Sequence, residues 1–364
     1  MTPSTRTRAA SVAALLVAGA FLVGAIATAG AQTQRAGACT KAVASCTEWV
    51  LLGGSRRMLV YTSYPLDGPD PRIVRALIMV HGANRNADHY FETSVAAAFL
   101  AGALGDTIVI APRFAAGTDA VAAGEVLWPE GAQDWRSGGA LASAPNLTSF
   151  DAMDDILRIL AERRRFPNLR TIVVAGHSAG GQFVTRYEMA NRVHETLGVP
   201  VSYVPANPSS YAWPSPVRPL PTGNAEPAGA WREPLGPDGE HVNAQFTYGA
   251  FDASNAADYD RWPMGLEHRT GYAARSTSQQ LIQHLVQRPT TYLLGQLDVL
   301  PLAGFDSRPV AMAQGPTRRA RGEAYVTYLT SALGAKQHAM IVPLCGHNDR
   351  CIFTTAAVLP IVFP

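Results

Sequence analysis

What this 364-residue chain lacks narrows it before any motif is read. Its net charge is only +2 at pH 7, with the two signs interspersed, so there is no basic field to hold a nucleic acid backbone. There is no internal repeat, and no low-complexity tract beyond the first thirty or so residues, which sets aside solenoids and polar disordered chains. Past those residues no segment reaches membrane-spanning length without charges. Cysteine is scarce, 4 residues in all, and none stands in the C-x-x-C spacing usual for four-ligand zinc sites, so no metal is expected.

What is present begins with a leader. Arg6 and Arg8 form a basic start, Ala9 to Ala27 an apolar stretch, and Ala29-Gly30-Ala31 before Gln32 a small-residue cleavage site. Residues 1–31 read as a secretory signal peptide. The competing reading, an uncleaved anchor, suits poorly a stretch rich in Ala and Gly with few Leu or Ile. Cleavage near Ala31 leaves one domain, 32–364, in a secreted or periplasmic setting without stable membrane insertion. An even cysteine count behind such a leader reads as two disulfides in an oxidising compartment. The cysteines fall in two close groups, Cys39 with Cys46 and Cys345 with Cys351; three connectivities are open, local pairing being the simplest.

From residue 48 onward, short β-branched runs alternate with longer helical patterns, which predicts an α/β domain with a mostly parallel sheet and helices on both faces. Strands are expected at Arg57 to Tyr64, Ala76 to Val80, Thr107 to Ala111, Arg170 to Ala175, Val201 to Pro205, Thr290 to Gly295 and Ala339 to Pro343. Helices are expected at Glu92 to Ala103, Phe150 to Arg165 capped by Ser149, Gly181 to Glu195, Ser276 to Gln287 and Thr317 to Leu333. Asp151, Asp154 and Asp155 fit the first turns of the second helix, where the dipole favours carboxylates. Between about 207 and 262 the pattern breaks into Pro, Gly and scattered aromatics, the expected place of a cap or rim beside a functional site.

The strongest motif is Gly176-His177-Ser178-Ala179-Gly180, directly after the apolar run Ile172-Val173-Val174-Ala175 and before a helical pattern. This is the G-x-S-x-G nucleophile elbow, in which flanking glycines allow a strained strand-to-helix turn that leaves the serine hydroxyl exposed. Ala179 follows at a helix start, where its N–H and the positive end of the dipole favour an oxyanion. Ser178 needs a base, and the base a carboxylate, each on a loop after a strand and in the chain order Ser, acid, His. His347 lies in Cys345-Gly346-His347 after the last apolar strand. Asp298 stands just past the strand Thr290 to Gly295, with Asp306 the rival acid deeper in the loop. A second oxyanion donor is expected after the strand Ala76–Val80, where His81-Gly82 resembles an H-G motif; Ala83 is the choice and Asn84 the alternative.

Together Gly176 to Gly180, His81-Gly82, Asp298 and His347 resemble the α/β-hydrolase family over nearly all of residues 32–364. The secreted character and the cysteine-flanked histidine make the chain similar to extracellular esterases of the polyhydroxybutyrate depolymerase and feruloyl esterase type. The resemblance implies a serine hydrolase that cleaves small-molecule or polymeric carboxylic esters through an acyl-enzyme on Ser178, without metal or organic cofactor. The alternatives are a peptidase or amidase on the same fold and a non-catalytic binding protein. Oligomeric state is not readable. Arg318, Arg319 and Arg321 at a helix start read as a solvated face, with an anionic-ligand site as the alternative. Trp128, Trp135, Trp213, Trp231 and Trp262, with Tyr211, Tyr248, Phe251 and Tyr259, either pack the cap or line a cleft selecting bulky acyl groups.

Overall fold

The computed structural model describes residues 37–364 apart from 55, 132–133, 142, 221–239, 242–245 and 303, and gives the backbone alone at 240–241. The leader and Trp231 lie outside the described residues. Eight strands run in chain order as β1 (Thr47–Leu52), β2 (Arg56–Thr62), β3 (Arg75–Val80), β4 (Thr107–Pro112), β5 (Thr171–His177), β6 (Val201–Ala206), β7 (Thr291–Gly295) and β8 (His338–Val342). They lie side by side as β1-β2-β4-β3-β5-β6-β7-β8, and the two-residue strand Glu240–His241 pairs antiparallel with β8. From β4 to β8 every pairing is parallel; β1 and β2 form an antiparallel hairpin, and β2 pairs antiparallel with β4.

The sheet's two faces are written in the alternation of single strands. Ile78, Val80, Ile172 and Val174 point to one layer; Leu77, Met79, Val173 and Ala175, their immediate neighbours, point to the other. The first layer is closed by helices α2 (Ser149–Ala161), α3 (Ala179–Ala190), α4 (Ser278–Gln287) and α5 (Arg318–Leu333), through Phe150, Phe183, Leu281 and Leu329. The second is closed by α1 (Ala87–Leu100) and α6 (Asp349–Thr354), through Phe91, Val95, Ile352 and Phe353. Covered on both sides, the central strands read as nearly continuous apolar runs, as parallel strands do. Among the described residues no helix is long and apolar enough to cross a membrane.

Two local expectations about α2 are corrected. The cap of α2 is Thr148, which accepts from the Asp151 N–H at 3.1 Å while Asp151 accepts from the Thr148 N–H at 2.8 Å, a reciprocal capping box. The Ser149 hydroxyl instead donates to the Trp135 carbonyl. Asp154 is buried rather than a dipole partner, accepting from the hydroxyls of Tyr187 (2.6 Å) and Tyr272 (2.7 Å), and burial pushes its carboxyl up to about 6.

The arginines of α5 are the clearest reversal: Arg318, Arg319 and Arg321 are all buried. Arg321 donates to the carbonyls of Ser209 (2.6 Å), Gly315 and Asp306, and Arg319 to Glu323 (2.8 Å) and the Gln296 carbonyl (3.0 Å). A guanidinium offers five N–H donors, so it can stay buried where irregular loops present carbonyls that no ladder satisfies.

Trp213 is also removed from any cleft. It is wholly buried, with its ring 5.4 Å from Tyr325 and 5.5 Å from Tyr328 of α5 and the Arg218 guanidinium 5.4 Å above it. Tyr211, Trp213 and Tyr248 thus pack onto α5, beside a short hairpin of Val217–Pro219 with Tyr248–Ala250, while Phe251 packs on Tyr259, and Trp262, donating to the Ser137 carbonyl at 2.9 Å, lines a cavity of about 510 Å³. Trp128 and Trp135 are buried as well, Trp135 stacked on Phe114.

Candidate active site

The chain enters the elbow from β5 and leaves it as α3, and Ser178 between them has φ 56° and ψ −115°. For a residue with a Cβ this is a strained conformation, tolerable only where the surroundings over-determine it. They do so by backbone contact. The Ser178 N–H donates to the Ala206 carbonyl at 2.9 Å. A Cβ on Gly176 would lie 2.5 Å from the Gly180 carbonyl oxygen, and one on Gly180 would lie 2.1 Å from that of Val80. The glycines are therefore required by close packing of main chain on main chain.

The Ser178 hydroxyl lies 2.9 Å from Nε2 of His347, whose Nδ1 lies 2.8 Å from Oδ2 of Asp298. With Nδ1 protonated, His347 donates to the carboxylate and accepts from the serine. Asp298 is buried, and its second oxygen faces the buried Arg318 guanidinium at 3.3 Å. Asp306 is not part of this chain of hydrogen bonds: it pairs with Arg308 at 2.7 Å, although it lines the same cavity.

The loop after β3 is held from behind. His81 is wholly buried; its Nδ1 donates to the Gly82 carbonyl at 2.9 Å, its Nε2 accepts from the Phe114 N–H at 2.9 Å, and burial pushes it down to about 4. It is thus a neutral bracket in a fixed tautomer. Tyr90 of α1 closes over Gly82, where a Cβ would lie 2.7 Å from the tyrosine oxygen, and bonds Nδ1 of His177 at 3.0 Å. Ala83 and Ala179 line, with Ser178, a cavity of about 340 Å³. The Ala179 N–H opens α3 and so has no acceptor within that helix. The other walls are polar, including Gln182, Ser209, Arg136 and Arg308.

With the fold and this geometry in place, comparison with known proteins decides the family. Residues 77–359 match the model of the alpha/beta hydrolase family. This chain belongs to the alpha/beta hydrolase family. Among solved structures the hydrolase chain is similar to LpqC, a poly(3-hydroxybutyrate) depolymerase from Bordetella parapertussis, at 23% identity over 86% of both chains with a TM-score of 0.56. It is also similar to poly(aspartic acid) hydrolase-1 from Sphingomonas sp. KT-1, at 20% identity over 87% of this chain and 98% of the other, with a TM-score of 0.58. At these identities the likeness is one of fold. No curated protein matches the chain in sequence.

Two residues of this hydrolase that sequence patterns did not single out tie its loops together. Asn207, at φ 45°, donates to the Gly346 carbonyl at 3.1 Å and accepts from the Gly295 N–H at 2.7 Å, joining the end of β6 to the loops of Asp298 and His347. An Asn directly after a strand, of the residue class that tolerates positive φ, was the available signal. His177 packs its ring 4.6 Å from that of His347; burial, aided by the His347 charge, holds it well below the usual histidine range. A neutral His177 avoids a second cation against a protonated His347.

Both cysteine pairs close locally, as Cys39–Cys46 and Cys345–Cys351. The second encloses His347 within a separation of 6 residues, and the Cys345 carbonyl accepts from the Leu297 N–H at 2.8 Å, beside Asp298. Converting Cys345 and Cys351 together to serine should lower stability by about 2 kcal/mol and, if His347 serves as the base, cut kcat at least tenfold through loss of its anchorage. The same change at Cys39 and Cys46 should lower stability while sparing kcat. Equal kcat loss from the two double variants, read beside urea unfolding curves, goes against this division.

Proposed function

We propose that this hydrolase cleaves carboxylic esters through an acyl-enzyme on Ser178. One observation carries the reading: a strained, glycine-flanked serine hydrogen-bonded to His347, itself hydrogen-bonded to buried Asp298, opens onto a cavity also lined by Ala83 and Ala179. His347 takes the hydroxyl proton as Ser178 Oγ attacks the ester carbonyl, and the tetrahedral oxyanion forms against the Ala179 and Ala83 amides. His347 then gives that proton to the departing alkoxide, leaving the acyl group on Ser178. Water entering in its place loses a proton to His347 and attacks the acyl carbon; the intermediate collapses to the acid as His347 returns that proton to the departing Ser178 Oγ, regenerating the free serine. Asp298 holds the imidazole in the required tautomer throughout, with Arg318 fixing the far side of its carboxylate.

A secreted or periplasmic setting is part of this proposal. It is supported by the two disulfides and by the basic, then apolar, then A-x-A order of residues 1–31.

The test uses a fluorophosphonate and two chromogenic substrates, a 4-nitrophenyl ester and an aminoacyl 4-nitroanilide. Stoichiometric labelling mapped to Ser178, with turnover of the ester far above that of the anilide, is the expected result. Anilide turnover equal to or above that of the ester moves the reading to an amidase, and absence of labelling removes the nucleophile.

A further inference from the structure

The cavity at Ser178 does not end at the catalytic residues. Gly131, Arg136, Gln182 and Arg308 line both it and a second cavity of about 510 Å³, so the two form one cleft. The charged groups lining the cleft leave a surplus of one positive charge among the described residues. Among the described residues its walls carry four guanidinium groups, Arg136, Arg186, Arg261 and Arg308, against three carboxylates, Asp134, Asp258 and Asp306.

The carboxylates are already taken. Asp134 pairs with Arg136, Asp258 with Arg261 at 3.3 Å, and Asp306 with Arg308 at 2.7 Å. Arg186 is the remaining guanidinium. It comes from α3, two turns past Ser178, and is 2% exposed. It donates only to neutral acceptors: the Pro263 carbonyl at 3.2 Å, Ser210 Oγ at 3.2 Å and the Arg136 carbonyl at 3.4 Å. Burial, together with the charge on Arg136, pushes its pKa down to about 9, because the carboxylates of Asp134 and Asp306 act on it only from a distance, each in direct contact with another arginine. An unmatched cation in the wall of a substrate cleft is costly unless something anionic arrives there.

We propose that this cleft binds a free carboxylate on the substrate, held among Arg136, Arg186 and Arg308, while the ester group lies at Ser178. The inference rests on the ester reading and narrows it to half-esters and other esters with a terminal carboxylate. A single negative charge matches the surplus of one guanidinium, and the fork geometry of arginine suits two carboxylate oxygens. Arg136 and Arg308 offer the reachable donors, their side chains being 35% and 64% exposed. Arg186 supplies charge from behind them.

The test is calorimetric titration of the Ser178→Ala variant, which cannot turn over, with monoethyl adipate and with ethyl adipamate, its uncharged carbamoyl counterpart. The carboxylate ligand should bind at least about tenfold tighter, and 0.5 M NaCl should erode most of that ratio. Adding Arg308→Gln should bring the ratio to within about twofold; Arg136→Gln serves as a second variant if that protein is poorly folded by circular dichroism. Equal affinities, no binding of either ligand, or a preference that survives both arginine variants overturns the proposal. The ester reading fails separately: wild-type protein that turns over neither a neutral ester nor a carboxylate-bearing one defeats it, whatever the titrations show.

Discussion

Ser178→Ala should abolish ester turnover, lowering kcat by about 10⁴-fold or more, and leave the melting temperature close to that of the parent protein. Alanine keeps the Cβ and hence the strain of φ 56°, so nothing in the elbow relaxes and nothing in the core is lost. Ser178→Gly should be equally inactive yet melt higher. Glycine adopts this conformation freely, and relief of such strain is worth about 1–2 kcal/mol. Progress curves with a 4-nitrophenyl ester and thermal unfolding of the two variants decide it. Residual activity above 1% of the parent would place the nucleophile elsewhere, and a glycine variant no more stable than the alanine variant would show the elbow to be unstrained.

Asp298→Asn should cost about 10³- to 10⁴-fold in kcat, and Asp306→Asn less than tenfold. The reason lies on both sides of the carboxylate. An asparagine amide would face Arg318 with its oxygen, since its NH₂ would repel the guanidinium 3.3 Å away, and would therefore turn its NH₂ toward His347 Nδ1. That stabilises the tautomer with the proton on Nε2, which cannot accept from Ser178. The Asp306 carboxylate pairs with Arg308 and its carbonyl accepts from Arg321, and neither contact reaches His347, so its neutralisation leaves the imidazole untouched. The comparison needs kcat for both variants across the pH range with near-ultraviolet circular dichroism to exclude unfolding; a larger loss at Asp306 would reassign the acid.

The residues that could be read in the chain share one property: each follows an apolar strand. Ser178, Asp298 and His347 come at or after the ends of β5, β7 and β8, and the structure brings them into one hydrogen-bonded line. The sheet itself was legible for the same reason, because strands buried on both faces announce themselves as short β-branched runs. β1 was not placed beforehand: its charged and exposed positions at Glu48 and Leu51 break such a run at the sheet's edge. The residues that stayed hidden act across long loops. Asn207 bonds Gly295, 88 positions on, and Tyr90 bonds His177, 87 positions on, so neither carries a local mark. The arginines of α5 were misread because three charges at a helix start ordinarily face water. The carbonyls of Ser209, Gln296 and Gly315 that bury them lie in loops whose sequence shows no sign of it.

The clasp between Gly180 and the end of β3 fixes more than a turn. Val80 leads directly into the loop of His81, Gly82 and Ala83, so the segment carrying Ser178 rests, main chain on main chain, on the segment carrying Ala83, the proposed oxyanion donor. The width of the slot between these two segments is therefore gauged, where they touch, by peptide groups, with His81 and Tyr90 holding the loop from behind. Substituents in the surrounding layers can change bulk, polarity or reach, and so alter which acyl chain or counter-charge is admitted, without resetting that width. Selectivity and reactivity are held by different parts of the same molecule.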